Sequence, residues 1–325
     1  MTYSDPLYGE FVIEEPVITA LLNTPTLTRL KGIEQGAYRK PFFPGEPPTR
    51  YQHSVGVFLV LRKYGATLKE QIAGLIHDAS HSAFSHAIDY IHAEGSPSEH
   101  SHQDNIHEEY LSQSELPALL NRYGYTLTEL LDESQFPLKE QPLPDLCADR
   151  IDYSLRDAAA YWKFPLDDIH HILDSLTVHD NKWIFSSPEH ALRFAKLFNH
   201  SNEYWAGLES AVMFLTVAEY VKHALARAYI TPQDLYTTDA EVLNKIAVHH
   251  AKDATLIKLF ERMNNRVPYR NDPEQGTLTV VKSRAVDPWC FKDGSYTRLS
   301  TAIPEWQKTL TKELPPKKWW IAFED

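Results

Sequence analysis

Between Ala73 and His86 the chain reads A-G-L-I-H-D-A-S-H-S-A-F-S-H. An apolar helical stretch delivers the adjacent pair His77-Asp78 and then releases two further histidines, His81 and His86. Imidazole nitrogen and carboxylate oxygen are ligands for first-row divalent metals, and one adjacent pair binds an ion only if other segments complete the shell. A chain built around this stretch must therefore bring distant residues to it.

Two segments offer partners. Ser54 to Tyr64 is rich in Val and Leu and reads as a buried helix, with His53 near its start. Asp149-Arg150-Ile151-Asp152-Tyr153 opens another helix, whose first-turn carboxylate can face a cation while Ile151 and Leu155 pack. His53, His77, Asp78 and Asp149 form a candidate four-ligand set from three helices. Such a shell leaves positions open for water and substrate, as catalysis requires and a closed structural site does not. Taken alone, a His-Asp dipeptide is more often a helix-end or solvated pair. Its weight comes from the partners.

These blocks resemble the HD-domain phosphohydrolases, and within them the deoxynucleoside triphosphate triphosphohydrolases. The likeness rests on Thr24-Pro25, Arg29-Leu30, Gln35-Gly36, Pro44-Gly45, Arg50 and His53-Ser54-Val55-Gly56-Val57, on His77-Asp78 through Phe84-Ser85-His86, and on Asp149 to Tyr153 with Arg156-Asp157. The resemblance implies a mainly α HD-type helical bundle in which His53, His77, Asp78 and Asp149 hold one divalent ion. Iron, manganese, zinc, nickel and magnesium all stay open, because ligand type narrows the choice only weakly. It further implies His107 as the catalytic histidine, oriented by Asp89, with His102 as the fallback. His81 and His86 fall near the substrate phosphates, and Gln35, Arg50, Arg150, Tyr153 and Asp157 fall where relatives contact sugar and phosphate. Relatives also enclose the nucleotide with an arginine and a tyrosine from the region matching residues 189–229, for which Arg193, Lys196, Tyr204 and Tyr220 are the stand-ins.

The chemistry supports these roles independently. Phosphate ester hydrolysis needs an activated water, compensation of phosphoryl charge and a proton for the leaving oxygen. A divalent ion serves the first two. Histidine, with an ordinary pKa near about 6.5, suits the third. A carboxylate such as Asp89 can fix a tautomer, and arginine's planar fork matches phosphate oxygens. Each residue also has a plainer reading: His107 as an idle member of a polar loop, Tyr153 as core packing, and Asp152 as a cap or salt bridge within its own helix.

Composition bounds the rest. Two cysteines, Cys147 and Cys290, lie far apart without C-x-x-C spacing, so neither a disulfide framework nor a zinc ribbon is indicated. The first residues lack a signal-peptide pattern and no apolar run is long enough for a membrane span. Cytoplasm is the expected location, or the nucleus in a eukaryote. A net charge of −12 argues against broad nucleic-acid or anionic-lipid binding. A polyanionic small substrate then requires positive charge gathered locally, from Arg50, Arg150 and the ion, with Arg39, Lys40 and Lys163 as candidate extensions.

Along the chain, Thr24 caps a turn begun by Pro25, and Gly36 to Pro48 is a proline-rich loop. Thr67 with Glu70 and Thr126 with Glu129 predict capping boxes. A helical stretch from Ile106 to about Tyr123 is interrupted before Pro117. Lys182 to Phe185, Thr277 to Lys282 and Trp319 to Phe323 have strand character. The expected organisation is a helical catalytic domain over residues 1–265 and a small α+β lobe over 266–325, with a homo-oligomer left open. The sequence thus predicts a metal-dependent phosphohydrolase acting on nucleotides, first a dNTP triphosphohydrolase releasing nucleoside and triphosphate. The alternatives are a phosphatase on nucleoside monophosphates or another small ester, and a non-catalytic nucleotide-binding module.

Overall fold

Thr49 starts the helix around which the protein is organised. Its hydroxyl accepts from the Gln52 amide at 3.2 Å, and the Gln52 side chain accepts from the Thr49 amide at 2.9 Å. This reciprocal cap satisfies two amides that the helix cannot pair internally. In the computed structural model, which describes residues 1–91 and 102–324 and only the backbone of 102–105, the helix Arg50–Lys63 runs between two apolar cores. Val57, Val60 and Leu61 face one, and Val55, Phe58 and Leu59 face the other. A helix apolar nearly all round must be enclosed in this way.

Two helices pack on it and complete the frame of the site. Leu68–Ile76 is capped by Thr67 and ends at His77, while Ala148–Trp162 carries Asp149 in its first turn. Gly56 permits the second approach, since a Cβ there would lie 1.9 Å from Asp152 Oδ1. Thr24, Thr67, Thr126 and Ser187 all cap helices through their hydroxyls. The capping box expected at Thr67 is only half made. Glu70 Oε1 accepts instead from the amides of Leu138 and Lys139, at 2.7 and 3.0 Å. Those amides belong to the loop approaching Asp149, and a buried carboxylate satisfies both at once.

The break before Pro117 separates His102–Ser112 from Leu116–Arg122. Beyond the Asp149 helix, Pro188–Trp205, Leu208–Ala226 and Ala254–Met263 continue the helical body. The expected strands are present, and Thr277–Val281 pairs antiparallel with Lys317–Phe323, placing Thr279 opposite Trp319. The protein is therefore mainly α, with a small strand-containing C-terminal lobe. One sheet of that lobe is completed from outside it, since Lys182–Phe185 runs parallel to Trp289–Lys292 with Ile184 opposite Trp289. Among the described residues no helix is long and apolar enough to cross a membrane. Cys147 and Cys290 are both free and buried.

Candidate metal centre

His77 caps the C-terminal end of its helix, and its Nδ1 lies 2.7 Å from the Gly74 carbonyl. A carbonyl only accepts, so Nδ1 carries the proton and Nε2 presents a bare lone pair. That atom is buried without a hydrogen-bond partner. His53 is prepared by different means. Its Nδ1 donates to Asp152 Oδ2 at 2.7 Å, which turns Nε2 toward Asp149 Oδ1 at 2.9 Å. Asp149 Oδ1 is also 3.6 Å from His77 Nε2. Asp78 adds one oxygen 3.5 Å from His53 Nε2 and the other 3.5 Å from His77 Nε2.

These separations suit a single ion. Ligand bonds of about 2.1 Å place neighbouring donor atoms roughly 3 Å or more apart, and donor atoms of His53, His77 and Asp149 all lie within 4.8 Å of one another. The electrostatics suit it too. Burial raises the pKa of Asp78, but the Arg50 guanidinium and the His77 and His81 rings outweigh it and hold the carboxyl well below its usual range. Asp149 is lowered likewise, the hydrogen bond from His53 and the nearby His77 ring overcoming burial. For His53, burial works against a proton while Asp149 and Asp152 favour one, which lifts it to about 10. A cation is wanted at this point, and a divalent ion on Nε2 meets the same demand.

The cluster opens into a cavity of about 970 Å³. Arg50 spans its base, donating to Asp78 Oδ2 at 2.6 Å, to Ser85 Oγ at 3.1 Å and to the Gln35 carbonyl at 2.6 Å. Phe84 and Ser85 both adopt positive φ, at 60° and 43°. Such backbone is costly for residues with a side chain, and here Asp239 helps hold it by accepting from the Phe84 amide at 2.8 Å. The turn sets His81 and His86 on the cavity wall, with ring centroids 5.1 Å apart.

An HD-domain profile matches residues 50–157. The chain is 34% identical over 303 residues to an uncharacterized protein, YdhJ, of Bacillus subtilis, spanning 92% of this chain and 91% of that one. It is 30% identical over 313 residues to the metal-dependent phosphohydrolase cns2 of Cordyceps militaris, spanning 93% and 89%. The chain belongs to the HD-domain family of metal-dependent phosphohydrolases. A more partial match, 28% identical over 147 residues, reaches the deoxynucleoside triphosphate triphosphohydrolase SAMHD1 of Gallus gallus, covering 39% of this chain and 24% of that protein. The fold is also that of a hypothetical protein from Aquifex aeolicus, with TM-score 0.71 and 19% identity over 99% of this chain and 96% of that one. A phosphohydrolase from Bacteroides thetaiotaomicron aligns over the whole of both chains with TM-score 0.65 and 16% identity.

Gln35, ahead of the matched segment, and Arg50, His81, His86, His107, Arg150, Tyr153 and Asp157 within it all line the cavity. Several are already engaged. Arg150 reaches Glu140 at 3.0 Å and Cys147 Sγ at 3.0 Å, and Asp157 pairs with Arg39 at 3.1 Å. Glu140, Cys147 and Asp149 form a second donor group, but the Arg150 guanidinium occupies its cation position. The Tyr153 hydroxyl and Gln35 Oε1 are buried with no partner among the described residues.

One expected pairing is corrected. Asp89 lies 3.6 Å from His86 Nδ1, three residues away on the turn Ser85–Tyr90, whereas His107 comes from another helix and its Nδ1 meets Ser80 Oγ. The fallback His102 lies outside the described side chains, as do His92 and His100. Burial, with His77 and Lys139 nearby, pushes His107 down to about 4. The stand-ins Arg193, Lys196, Tyr204 and Tyr220 do not line the cavity. Arg193 pairs with Asp168 at the surface, and Tyr220 is buried against His250. Their places on the wall are taken by Trp205, Phe214, Lys282 and Arg284. Asp152 also escaped the sequence reading in part. It does bridge to Arg156 within its own helix, at 2.8 Å, and it also fixes the His53 tautomer.

Proposed function

We propose that the protein hydrolyses nucleotides, with deoxynucleoside triphosphates as lead substrates and nucleoside plus inorganic triphosphate as products. The observation that carries this reading is the opening of the His53, His77, Asp78 and Asp149 cluster into a cavity of about 970 Å³ lined by several arginines, large enough for a nucleotide. A divalent ion held there supplies an activated water and a Lewis acid for the phosphoryl oxygens. The chain supplies the remainder. Arg50 fixes Asp78 and brings positive charge to the cavity base. His107 is neutral near pH 7, so its ring accepts a proton during attack and returns it to the leaving oxygen. His81 is lowered to about 4 by burial and the Arg50 charge, and its neutral ring suits a polar contact with phosphate. The match to a dNTP triphosphohydrolase across part of the chain supports a nucleotide as substrate.

A second reading, a phosphatase acting on nucleoside monophosphates or a similar ester, is favoured by the absence of Arg193 and Tyr220 from the cavity wall. One experiment separates the two. Protein loaded in turn with iron, manganese, zinc, nickel and magnesium is incubated with each dNTP and each nucleoside monophosphate, and products are resolved by chromatography. Deoxynucleoside and triphosphate in equal amounts are expected. Release of orthophosphate from monophosphates, with dNTPs untouched, would replace the first reading by the second.

A further inference from the structure

Residues 281–285 alternate. Val281, Ser283 and Ala285 are buried, while Lys282 and Arg284 are half-exposed and both line the cavity. Period-two alternation is the signature of extended chain, in which residues two apart share a side. The register is locked from behind. Asn202 Oδ1 accepts from the Arg284 amide at 2.8 Å, and Asn202 Nδ2 donates to Ser283 Oγ at 3.1 Å. Ser283 Oγ in turn donates to the Glu313 carbonyl at 2.5 Å. With Ser283 tied away from the cavity, Arg284 is committed to it.

Arg284 differs from the other arginines of the wall. Arg39, Arg50 and Arg150 are each paired with a carboxylate, of Asp157, Asp78 and Glu140 respectively. The Arg284 guanidinium makes no hydrogen bond or ion pair among the described residues. Arg284 shares the cavity wall with Tyr153, where burial raises the pKa of the phenol and the Arg284 charge opposes that rise, and the Tyr153 hydroxyl is also buried and without a partner among the described residues. Tyr153 stands four residues after Asp149, on the same helix face as a metal ligand. An unneutralised planar cation and an unsatisfied phenol therefore converge beside the metal cluster. Oxygens of a phosphate chain satisfy both.

We propose that Arg284 is a substrate-binding residue for phosphoryl groups beyond the one at the metal, acting with Tyr153 to favour di- and triphosphate over monophosphate esters. This rests on the proposed action on a phosphate-bearing substrate in the same cavity. The test measures binding of inorganic triphosphate and of orthophosphate to the manganese-loaded protein by calorimetry, for wild type, Arg284→Ala and Arg284→Lys. Loss of a charge-assisted contact in Arg284→Ala is expected to weaken triphosphate binding about tenfold or more and to leave orthophosphate within about twofold. Arg284→Lys keeps the charge without the fork and recovers part of the loss. It also carries the test if the alanine variant does not fold. Wild-type triphosphate affinity in Arg284→Ala, equal losses for both anions, or no triphosphate binding by wild type would each overturn the assignment. Arg284-dependent triphosphate binding without dNTP hydrolysis would leave it standing and remove the proposed function instead.

Discussion

Asp152 accepts a 2.7 Å hydrogen bond from His53 Nδ1 and, through the same carboxylate, bonds to Arg156 and to the Tyr8 hydroxyl at 2.8 Å each. It is fully buried. The carboxylate thus decides which nitrogen of His53 faces the metal position and what charge that ring prefers. Partners of this kind commonly contribute about 10- to 100-fold in metal affinity. Asp152→Ala is expected to weaken metal binding by that order, read by competition with a chromogenic chelator, and Asp152→Asn by less because its carbonyl still accepts from Nδ1. Unchanged affinity in Asp152→Ala would remove Asp152 from any role at the metal.

Gly56 lies one turn beyond His53 and faces the same carboxylate. An added methyl would meet Asp152 Oδ1 at 1.9 Å and an Arg156 nitrogen at 2.3 Å, and neither is free to move because both are locked in the buried network. Gly56→Ala is expected to cost about 1–3 kcal/mol, measured by urea denaturation, with a parallel fall in metal affinity as the two helices part. Wild-type stability would mean that the helices separate at no cost.

The candidate metal cluster could be read from the sequence because its signals are local. Thr67 marks the start of the helix that ends at His77, apolar spacing marks the helix of His53, and a first-turn acid marks Asp149. What stayed hidden depends on which elements meet. Glu70 has the spacing of a capping box, yet two buried amides from residues 138 and 139 claim it. Asp89 is three residues from His86 and belongs to it by geometry, while His107 arrives from a different helix. Arg284 reaches the cavity because Asn202, 82 residues away in sequence, clamps its amide. The parallel pairing of Ile184 with Trp289 likewise has no signal in either strand alone.

Glu34 and Asp239 give the protein a pH dependence of opposite sign to the usual carboxylate case. Burial raises each to about 7. In the unfolded chain both return to about 4, so between about pH 4 and pH 7 the folded state binds protons that the unfolded state has released. Stability is then greatest below about pH 4 for these two groups and falls as pH rises through about 7. Asp239 accepts from the amides of Glu34 and Phe84, so its ionisation acts on the positive-φ turn that carries His86. Asp239→Asn cannot ionise, and its thermal midpoint is expected to change less between pH 5 and pH 8 than that of wild type. A variant with the full wild-type slope would show that the dependence originates elsewhere.

His107 tests proton transfer separately from metal binding. Its ring lines the cavity and meets Ser80 through Nδ1, but it belongs to neither donor cluster. Burial holds it at about 4, so it stays neutral through the physiological range and becomes cationic only in acid. A neutral ring accepts a proton from the attacking water, and burial makes the resulting cation a strong donor to the leaving oxygen. General acid–base groups typically supply 10²- to 10⁴-fold in rate. His107→Ala is expected to lower kcat within that range, with metal content by mass spectrometry unchanged and KM little altered. His107→Gln preserves the contact with Ser80 but cannot carry the proton, so it should be as slow as the alanine variant. If His107→Gln retained wild-type kcat, the ring would be a positioning group for Ser80 and the proton would travel by another route.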